Sequence, residues 1–127
     1  MDNSKKIKIL LIEDDPFLLN MYNTKFELEG FLVITADDGE KGSRLALKEE
    51  PDIILLDILL PKKDGFEVLE ELKTNDKTKD IPVILLTNLS QKNEVERGLL
   101  LGAVDYLIKA HFMPSEIVTK IKKIVNK

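Results

Sequence analysis

Short apolar runs recur at regular intervals along the chain. Runs rich in Ile, Leu and Val cover residues 7–12, 31–36, 53–56, 83–86 and 104–108. Uninterrupted runs of this length are typical of strands that are buried on both faces of a parallel sheet. The pattern therefore predicts five strands.

The segments between and after these runs have apolar residues at helical spacing. They predict five helices, over residues 16–28, 39–49, 64–74, 90–101 and 114–125. Asp15, Asp64 and Ser90 are expected to cap the first, third and fourth helices. Gly42, inside the second helix, indicates close packing of that helix on the sheet. The strict alternation of strands and helices predicts right-handed crossovers and a three-layer α/β sandwich.

Length and composition indicate a single soluble domain over residues 1–127, with its core over about 5–125. The net charge of −4 argues against direct contact with nucleic acid. No apolar run approaches the roughly 20 residues that span a bilayer, and MDNSKKIK lacks the apolar segment of a signal peptide. A cytoplasmic protein without membrane contact is expected. With no Cys and one His, thiol catalysis is excluded and a zinc site is not expected.

Charged residues follow three of the predicted strands: Glu13 and Asp14 the first, Asp57 the third and Lys109 the fifth. In open α/β sheets, sites form beyond the carboxyl ends of the strands, so these side chains are expected to meet. Carboxylate oxygens suit Mg²⁺, or Mn²⁺ in its place. One of the carboxylates could then attack an activated phosphoryl group, with Lys109 and the hydroxyl of Thr87 binding the phosphoryl oxygens.

Four segments of the chain, IKILLIEDDP, DIILLDILLPKKDG, IPVILLT and GAVDYLIK, have a familiar order and spacing. Together they resemble the receiver domain of bacterial two-component response regulators, over nearly the whole chain from about Lys5 to Val125. The resemblance implies a flavodoxin-like, five-stranded parallel sheet of order 2-1-3-4-5 with five helices. It also implies a signalling domain rather than an enzyme, one that catalyses only its own phosphorylation and dephosphorylation.

The resemblance assigns the chemistry residue by residue. Asp57 would accept a phosphoryl group from a phosphohistidine of a sensor histidine kinase or a histidine phosphotransfer protein. Asp14 would bind Mg²⁺ directly and Glu13 mainly through water. Asp57 and the backbone carbonyl of Leu59 would complete the protein ligands. Lys109 would pair with Asp57 before transfer and with a phosphoryl oxygen afterwards.

The resemblance also implies a switch. Thr87 would turn toward the bound phosphoryl group, and Tyr106 would move inward into the space that this opens. The amide of Asn88 would lie close enough to crowd or hydrogen-bond the phosphoryl group. A downstream protein target would then be bound by the face made of the fourth helix, the fifth strand and the fifth helix.

Several positions depart from the usual family pattern. Ala110 follows Lys109 where the family commonly has a cis proline, so a trans Lys109–Ala110 bond is predicted. Asn88 replaces the small residue that usually follows Thr87. Leu59 and Leu89 flank the site and are apolar, which suggests restricted access for water and slow autodephosphorylation.

Other interpretations stay open at this point. Glu13 and Asp14 could be partners of the first helix dipole, and Tyr106 could be a packing residue. A flavodoxin-type electron carrier would need a phosphate-cradling loop where EDDP stands, and an aspartate phosphatase would need a cap segment. We expect a stand-alone receiver with no output domain. The main alternative is a receiver-like interaction module that works without phosphorylation.

Overall fold

The computed structural model describes residues 6–126, so residues 1–5 and 127 of the predicted domain lie outside the described residues. All five predicted strands and all five predicted helices are present. The strands are β1 (Lys8–Ile12), β2 (Leu32–Ala36), β3 (Ile53–Leu56), β4 (Val83–Thr87) and β5 (Asp105–Ile108). The helices are α1 (Pro16–Leu28), α2 (Gly39–Glu49), α3 (Gly65–Thr74), α4 (Lys92–Leu100) and α5 (Pro114–Val125). A short 3₁₀ turn, Lys109–His111, follows β5.

The five strands form one parallel sheet of order β2-β1-β3-β4-β5. Successive residues of each central strand face opposite sides of the sheet, and a hydrophobic core lies on each side. Leu10 and Leu85 pack with residues of α2 and α3 on one side, whereas Ile9 and Ile84 pack with residues of α1 and α5 on the other. The flavodoxin-like three-layer sandwich is therefore confirmed.

Burial is complete only in the middle of the sheet. Every residue of β3 and β4 is buried, as the apolar runs predicted. The two edge strands are different: in β2 only Ala36 is buried, and in β5 only Leu107. The prediction that all five strands are buried on both faces is thus wrong for the edges, because an edge strand has a sheet neighbour on one side only.

Two of the three predicted helix caps are present. Oδ1 of Asp15 accepts hydrogen bonds from the N–H groups of Phe17 and Leu18, at 2.9 and 3.2 Å. Asp64 and Glu67 form a reciprocal capping box at the start of α3, with each side chain accepting from the other residue's N–H. These contacts fix where the first and third helices leave the carboxyl edge of the sheet.

The predicted cap of the fourth helix is wrong. Ser90 lies in the connection before α4, and Gln91 occupies the N-cap position. The reason is Glu94, whose Oε1 accepts a hydrogen bond of 3.0 Å from the N–H of Gln91. This contact three residues into the helix sets the start of α4 at Lys92.

Gly42 lets α2 approach the sheet closely, as predicted. A Cβ atom at this position would lie 2.5 Å from Cδ1 of Ile12 on β1. Within residues 6–126 no peptide bond is cis, so the trans Lys109–Ala110 bond is confirmed. None of the helices in that range is long and apolar enough to cross a membrane.

Candidate functional site at the carboxyl edge of the sheet

The ends of three strands bring oppositely charged side chains together. Glu13 follows β1, Asp57 follows β3 and Lys109 follows β5. The Nζ atom of Lys109 lies 2.6 Å from Oδ2 of Asp57 and 2.5 Å from Oε1 of Glu13. Because β4 separates β3 from β5, the long lysine side chain must reach past the end of β4. The parallel topology therefore makes one ammonium the shared partner of two carboxylates.

These three side chains are almost completely enclosed. The exposed fraction is 2% for Glu13, 7% for Asp57 and 9% for Lys109. Burial raises the pKa of Glu13 above its usual value, although the hydrogen bond to Lys109 acts in the opposite direction. Burial alone would lower the pKa of Lys109, but its bonds to Asp57 and Glu13 reverse the shift and raise it. Lys109 therefore stays charged at neutral pH.

The carboxylate of Asp57 is held in one orientation. Its Oδ1 atom accepts a 2.7 Å hydrogen bond from the N–H of Ile58 and a longer one, 3.4 Å, from the N–H of Leu59. Its Oδ2 atom faces Lys109. The N–H of Asp57 donates to the carbonyl of Ile12, which continues the β1–β3 pairing by one residue. The group is thus oriented by backbone donors on one side and by a cation on the other.

A divalent cation would find three carboxylate ligands here. Glu13, Asp14 and Asp57 each offer one oxygen, and these oxygens all lie within 4.8 Å of one another. Asp14 is exposed and the other two residues are buried, so the ion could bind at the solvent boundary and keep several waters, as Mg²⁺ does. Asp15 lies outside this group because its carboxylate caps α1. The carbonyl of Leu59 as a further ligand stays a prediction.

The predicted phosphoryl contacts at the end of β4 differ in exposure. Thr87 is fully buried, and its Oγ1 accepts a 3.4 Å hydrogen bond from the N–H of Leu89. Asn88, the next residue, is exposed. Lys109 reaches the carboxylates themselves, as described above. Phosphoryl binding by Thr87, Asn88 and Lys109 remains a prediction, and so does the movement of Thr87.

The predicted switch residue Tyr106 lies beside the loop that follows Thr87. Its hydroxyl donates a 2.6 Å hydrogen bond to the main-chain carbonyl of Leu89. The side chain is half-buried and packs against the hydrophobic core between the sheet and α3. Burial, and after it the charges of Glu94 and Asp57, raise the pKa of Tyr106 to about 12. The residue therefore connects β5 to the β4–α4 connection and has no direct bond to the acidic group.

Sequence reasoning missed three residues close to the site. Tyr22 of α1 is buried, and its pKa is raised mainly by burial, with the charges of the site acting on it as well. Lys62 has a φ of 72° in the loop after β3, and Gly39 donates a hydrogen bond to the same loop. Nothing in the sequence PKKDG predicts that Lys62 adopts a positive φ.

A parallel sheet of this order, with clustered carboxylates and a lysine at its carboxyl edge, is the arrangement expected of a receiver domain. The chain matches the family described as the response regulator receiver domain over residues 9–122, and it belongs to this family. It is a receiver domain of two-component signalling. The expectation drawn from four short segments is confirmed.

Individual relatives refine this assignment. The chain is 39% identical to the DNA-binding dual master transcriptional regulator RpaA of Synechocystis over 120 residues, which are 94% of this chain and 49% of that protein. The chain spans about half the length of the curated relatives that it matches. The activity of a whole regulator therefore cannot be carried over from them.

Two solved structures are close to this fold. A putative response regulator from Chloroflexus aurantiacus has a TM-score of 0.89 and 30% identity, covering 97% of this chain and 100% of that one. The receiver domain of the sensor histidine kinase PA1611 from Pseudomonas aeruginosa has a TM-score of 0.88 and 28% identity, with the same coverage. That structure has a magnesium ion coordinated in its active site cleft.

Proposed function

We propose that this chain is a Mg²⁺-dependent phosphoacceptor, and that Asp57 receives a phosphoryl group from a phosphohistidine of a sensor histidine kinase or a histidine phosphotransfer protein. The observation that carries the proposal is the setting of Asp57. Its carboxylate is buried, oriented by backbone N–H groups, paired with Lys109, and within 4.8 Å of the oxygens of Glu13 and Asp14.

The transfer step follows from this arrangement. An oxygen of Asp57 attacks the phosphorus, the P–N bond to the partner's histidine breaks, and an acyl phosphate forms. Lys109 exchanges its contact with Oδ2 for a contact with a phosphoryl oxygen. Glu13, Asp14, Asp57 and the Leu59 carbonyl are the groups that would hold Mg²⁺. When bound, the ion would neutralise charge on the phosphoryl oxygens.

The signal would pass from the site to the surface through the end of β4. Thr87 is buried at the end of β4, where its hydroxyl accepts a hydrogen bond from the N–H of Leu89, and the carbonyl of Leu89 accepts the hydrogen bond from Tyr106. A turn of the Thr87 hydroxyl toward the phosphoryl group would disturb both contacts. Phosphorylation would then shift a pre-existing equilibrium rather than create a new fold.

Apolar side chains are exposed where α4 leads into β5, two elements of the α4–β5–α5 face. Leu99, Leu100 and Val104 are 46%, 88% and 50% exposed and are close together in the chain where α4 leads into β5. We propose that a downstream protein binds here, in the cytoplasm. The net charge of −4 favours protein partners over direct contact with nucleic acid for this domain.

The test is the intact mass of the protein after incubation with acetyl phosphate and Mg²⁺. Wild type should gain one phosphoryl group, Asp57→Asn should gain none, and omission of Mg²⁺ should prevent the gain. Asp52→Asn is a matched control, because Asp52 is an acidic residue at the opposite edge of the sheet, where it accepts a hydrogen bond from Lys8. No gain in folded wild type would favour the phosphorylation-independent interaction module, and equal gain in wild type and Asp57→Asn would overturn the proposal.

A further inference from the structure

The connection between β3 and α3, residues 58–64, is a closed and strained turn, which we call the β3–α3 loop. At its base the N–H of Gly65 donates to the carbonyl of Ile58 at 2.8 Å. At its tip the N–H of Lys63 donates to the carbonyl of Pro61 at 2.8 Å, around Lys62 with its φ of 72°. A three-residue γ-turn with a positive φ is rare and strained for a residue with a side chain. Something outside the loop must therefore help to maintain it.

The N-terminus of α2 lies directly against this tip. The N–H of Gly39 donates to the same Pro61 carbonyl at 3.2 Å. A Cβ atom at Gly39 would overlap the carbonyl oxygen of Lys63 and would lie 2.7 Å from its carbonyl carbon. The crowding atoms belong to the backbone, so a side-chain rotation cannot relieve them. Only glycine at position 39 allows the loop to sit where it does.

An ion pair adds a third contact between α2 and the loop. Nζ of Lys62 lies 3.8 Å from Oδ2 of Asp38, whose side chain is only 8% exposed. The other oxygen of Asp38 accepts a 2.8 Å hydrogen bond from the N–H of Lys41 and so caps α2. The capping residue of α2 and the residue that follows it both face the loop.

We propose that Gly39 is a positioning residue for the metal site. By holding the tip of the β3–α3 loop, it keeps the Leu59 carbonyl and Asp57 in the arrangement that a divalent cation needs. Gly39 itself touches no ligand of the ion. This inference rests on the proposed Mg²⁺-dependent function. It adds a third element, α2, to a site whose candidate ligands all follow β1 and β3.

The decisive experiment is a Mg²⁺ titration of the folded protein, followed through the backbone amide signals in NMR spectra. Gly39→Ala should bind Mg²⁺ about 10- to 100-fold more weakly than wild type, the range seen when groups supporting metal ligands are changed. The matched control is Gly42→Ala, three residues further along α2, where the new Cβ crowds the flexible end of Ile12. That variant should lose stability, but its Mg²⁺ affinity should stay within about twofold of wild type.

A second pair of variants tests the same contact from the side of the loop. Lys62→Gly accepts a positive φ without strain, whereas Lys62→Val places a β-branched residue where it is least tolerated. Lys62→Val should bind Mg²⁺ about tenfold more weakly than Lys62→Gly, a ratio within the range expected for a group that supports a metal ligand. This comparison remains informative if Gly39→Ala does not fold.

The outcomes separate the two proposals. If wild type binds Mg²⁺ but Gly39→Ala and Gly42→Ala bind it equally well, or if the two Lys62 variants do not differ, the positioning role of Gly39 is overturned and the proposed function stands. If wild type shows no Mg²⁺-dependent signal changes and no phosphorylation, the proposed function fails and this inference fails with it.

Discussion

The hydroxyl of Tyr106 and the main-chain carbonyl of Leu89 are joined by a hydrogen bond of 2.6 Å. The bond links β5 to the connection between β4 and α4, two residues beyond the buried Thr87. A rearrangement of that connection must either break this bond or carry the tyrosine with it. The hydroxyl is thus a direct reporter of the state of the loop.

The first prediction concerns the alkaline titration of this tyrosine. The pKa of Tyr106 is raised from 10.0 to about 12, chiefly by burial. Because the folded pKa lies above the unfolded one, the contribution of Tyr106 to stability is complete below pH 10 and is lost as the pH rises toward 12. Near-ultraviolet absorbance of tyrosinate should show a step close to pH 12 that Tyr106→Phe removes. A step at pH 10 in the native protein that disappears in Tyr106→Phe would contradict this.

The second prediction concerns the shared cation. Lys109→Ala leaves two buried carboxylates, Glu13 and Asp57, without their counter-charge. Without divalent ions, the free energy of unfolding at neutral pH should fall by about 3–5 kcal/mol, the usual cost of breaking a buried pair. Lys120→Ala is the control, because its pair with Asp105 is more than one-third exposed and is worth about 0–1 kcal/mol. Chemical denaturation of both variants measures the difference, and equal losses would refute the prediction.

The loss of stability in Lys109→Ala should also depend on pH. The pKa of Glu13 is already raised by burial in wild type, so its contribution favours folding at low pH and is lost as the pH rises through the folded pKa. Removal of Lys109 takes away the hydrogen bond and the charge that favour the ionised form of Glu13, so the pKa of Glu13 rises further. The stability gap between Lys109→Ala and wild type should therefore narrow as the pH is lowered from neutrality.

The third prediction separates two neighbouring aspartates. Asp15→Ala should lower the free energy of unfolding by about 1 kcal/mol through loss of the α1 cap, with Mg²⁺ affinity retained. Asp14→Ala should leave stability within about 0.5 kcal/mol of wild type. It should weaken Mg²⁺ binding by at least about tenfold, since one of three candidate charged ligands is lost. Chemical denaturation and Mg²⁺ titration of both variants measure these effects. A loss of Mg²⁺ affinity in Asp15→Ala and a loss of stability in Asp14→Ala would contradict the prediction.

The fourth prediction concerns the lifetime of the phosphorylated form. Leu59 and Leu89 are apolar and follow Asp57 and Thr87 by two residues, so neither leucine side chain can orient a water for attack. Leu59→Asn or Leu89→Asn should speed loss of the phosphoryl group by about tenfold, which corresponds to about 1.4 kcal/mol of barrier. The decay of the phosphorylated mass with time measures this rate. Leu28→Asn, at an 80% exposed position at the far end of α1, is the control, and a rate no faster than that control would refute it.

Apolar runs identified the strands because a strand buried on both faces, such as β3 or β4, has apolar residues at nearly every position. They could not give the order of the strands, since every central strand has the same composition. That order came from the resemblance to the receiver family. The meeting of Glu13, Asp57 and Lys109 followed from a simple rule, that parallel strands end at the same edge.

Contacts that depend on local backbone geometry could not be predicted from the sequence. Ser90 and Gln91 were both reasonable starts for α4, and the choice depended on the reach of the Glu94 side chain. The close approach of Gly39 to Lys63 joins positions 24 residues apart in the sequence. It depends on the positive φ of Lys62, which the sequence does not predict. Such features depend on atoms that meet only after folding.

The charge content of the site has one more consequence. Three carboxylates and one ammonium leave the group formed by Glu13, Asp14, Asp57 and Lys109 with a formal charge of −2. A divalent ion would restore electroneutrality, a monovalent ion would leave an excess negative charge, and a trivalent ion would overshoot. Ion valence therefore sets the net charge that an incoming phosphoryl anion meets at this edge of the sheet.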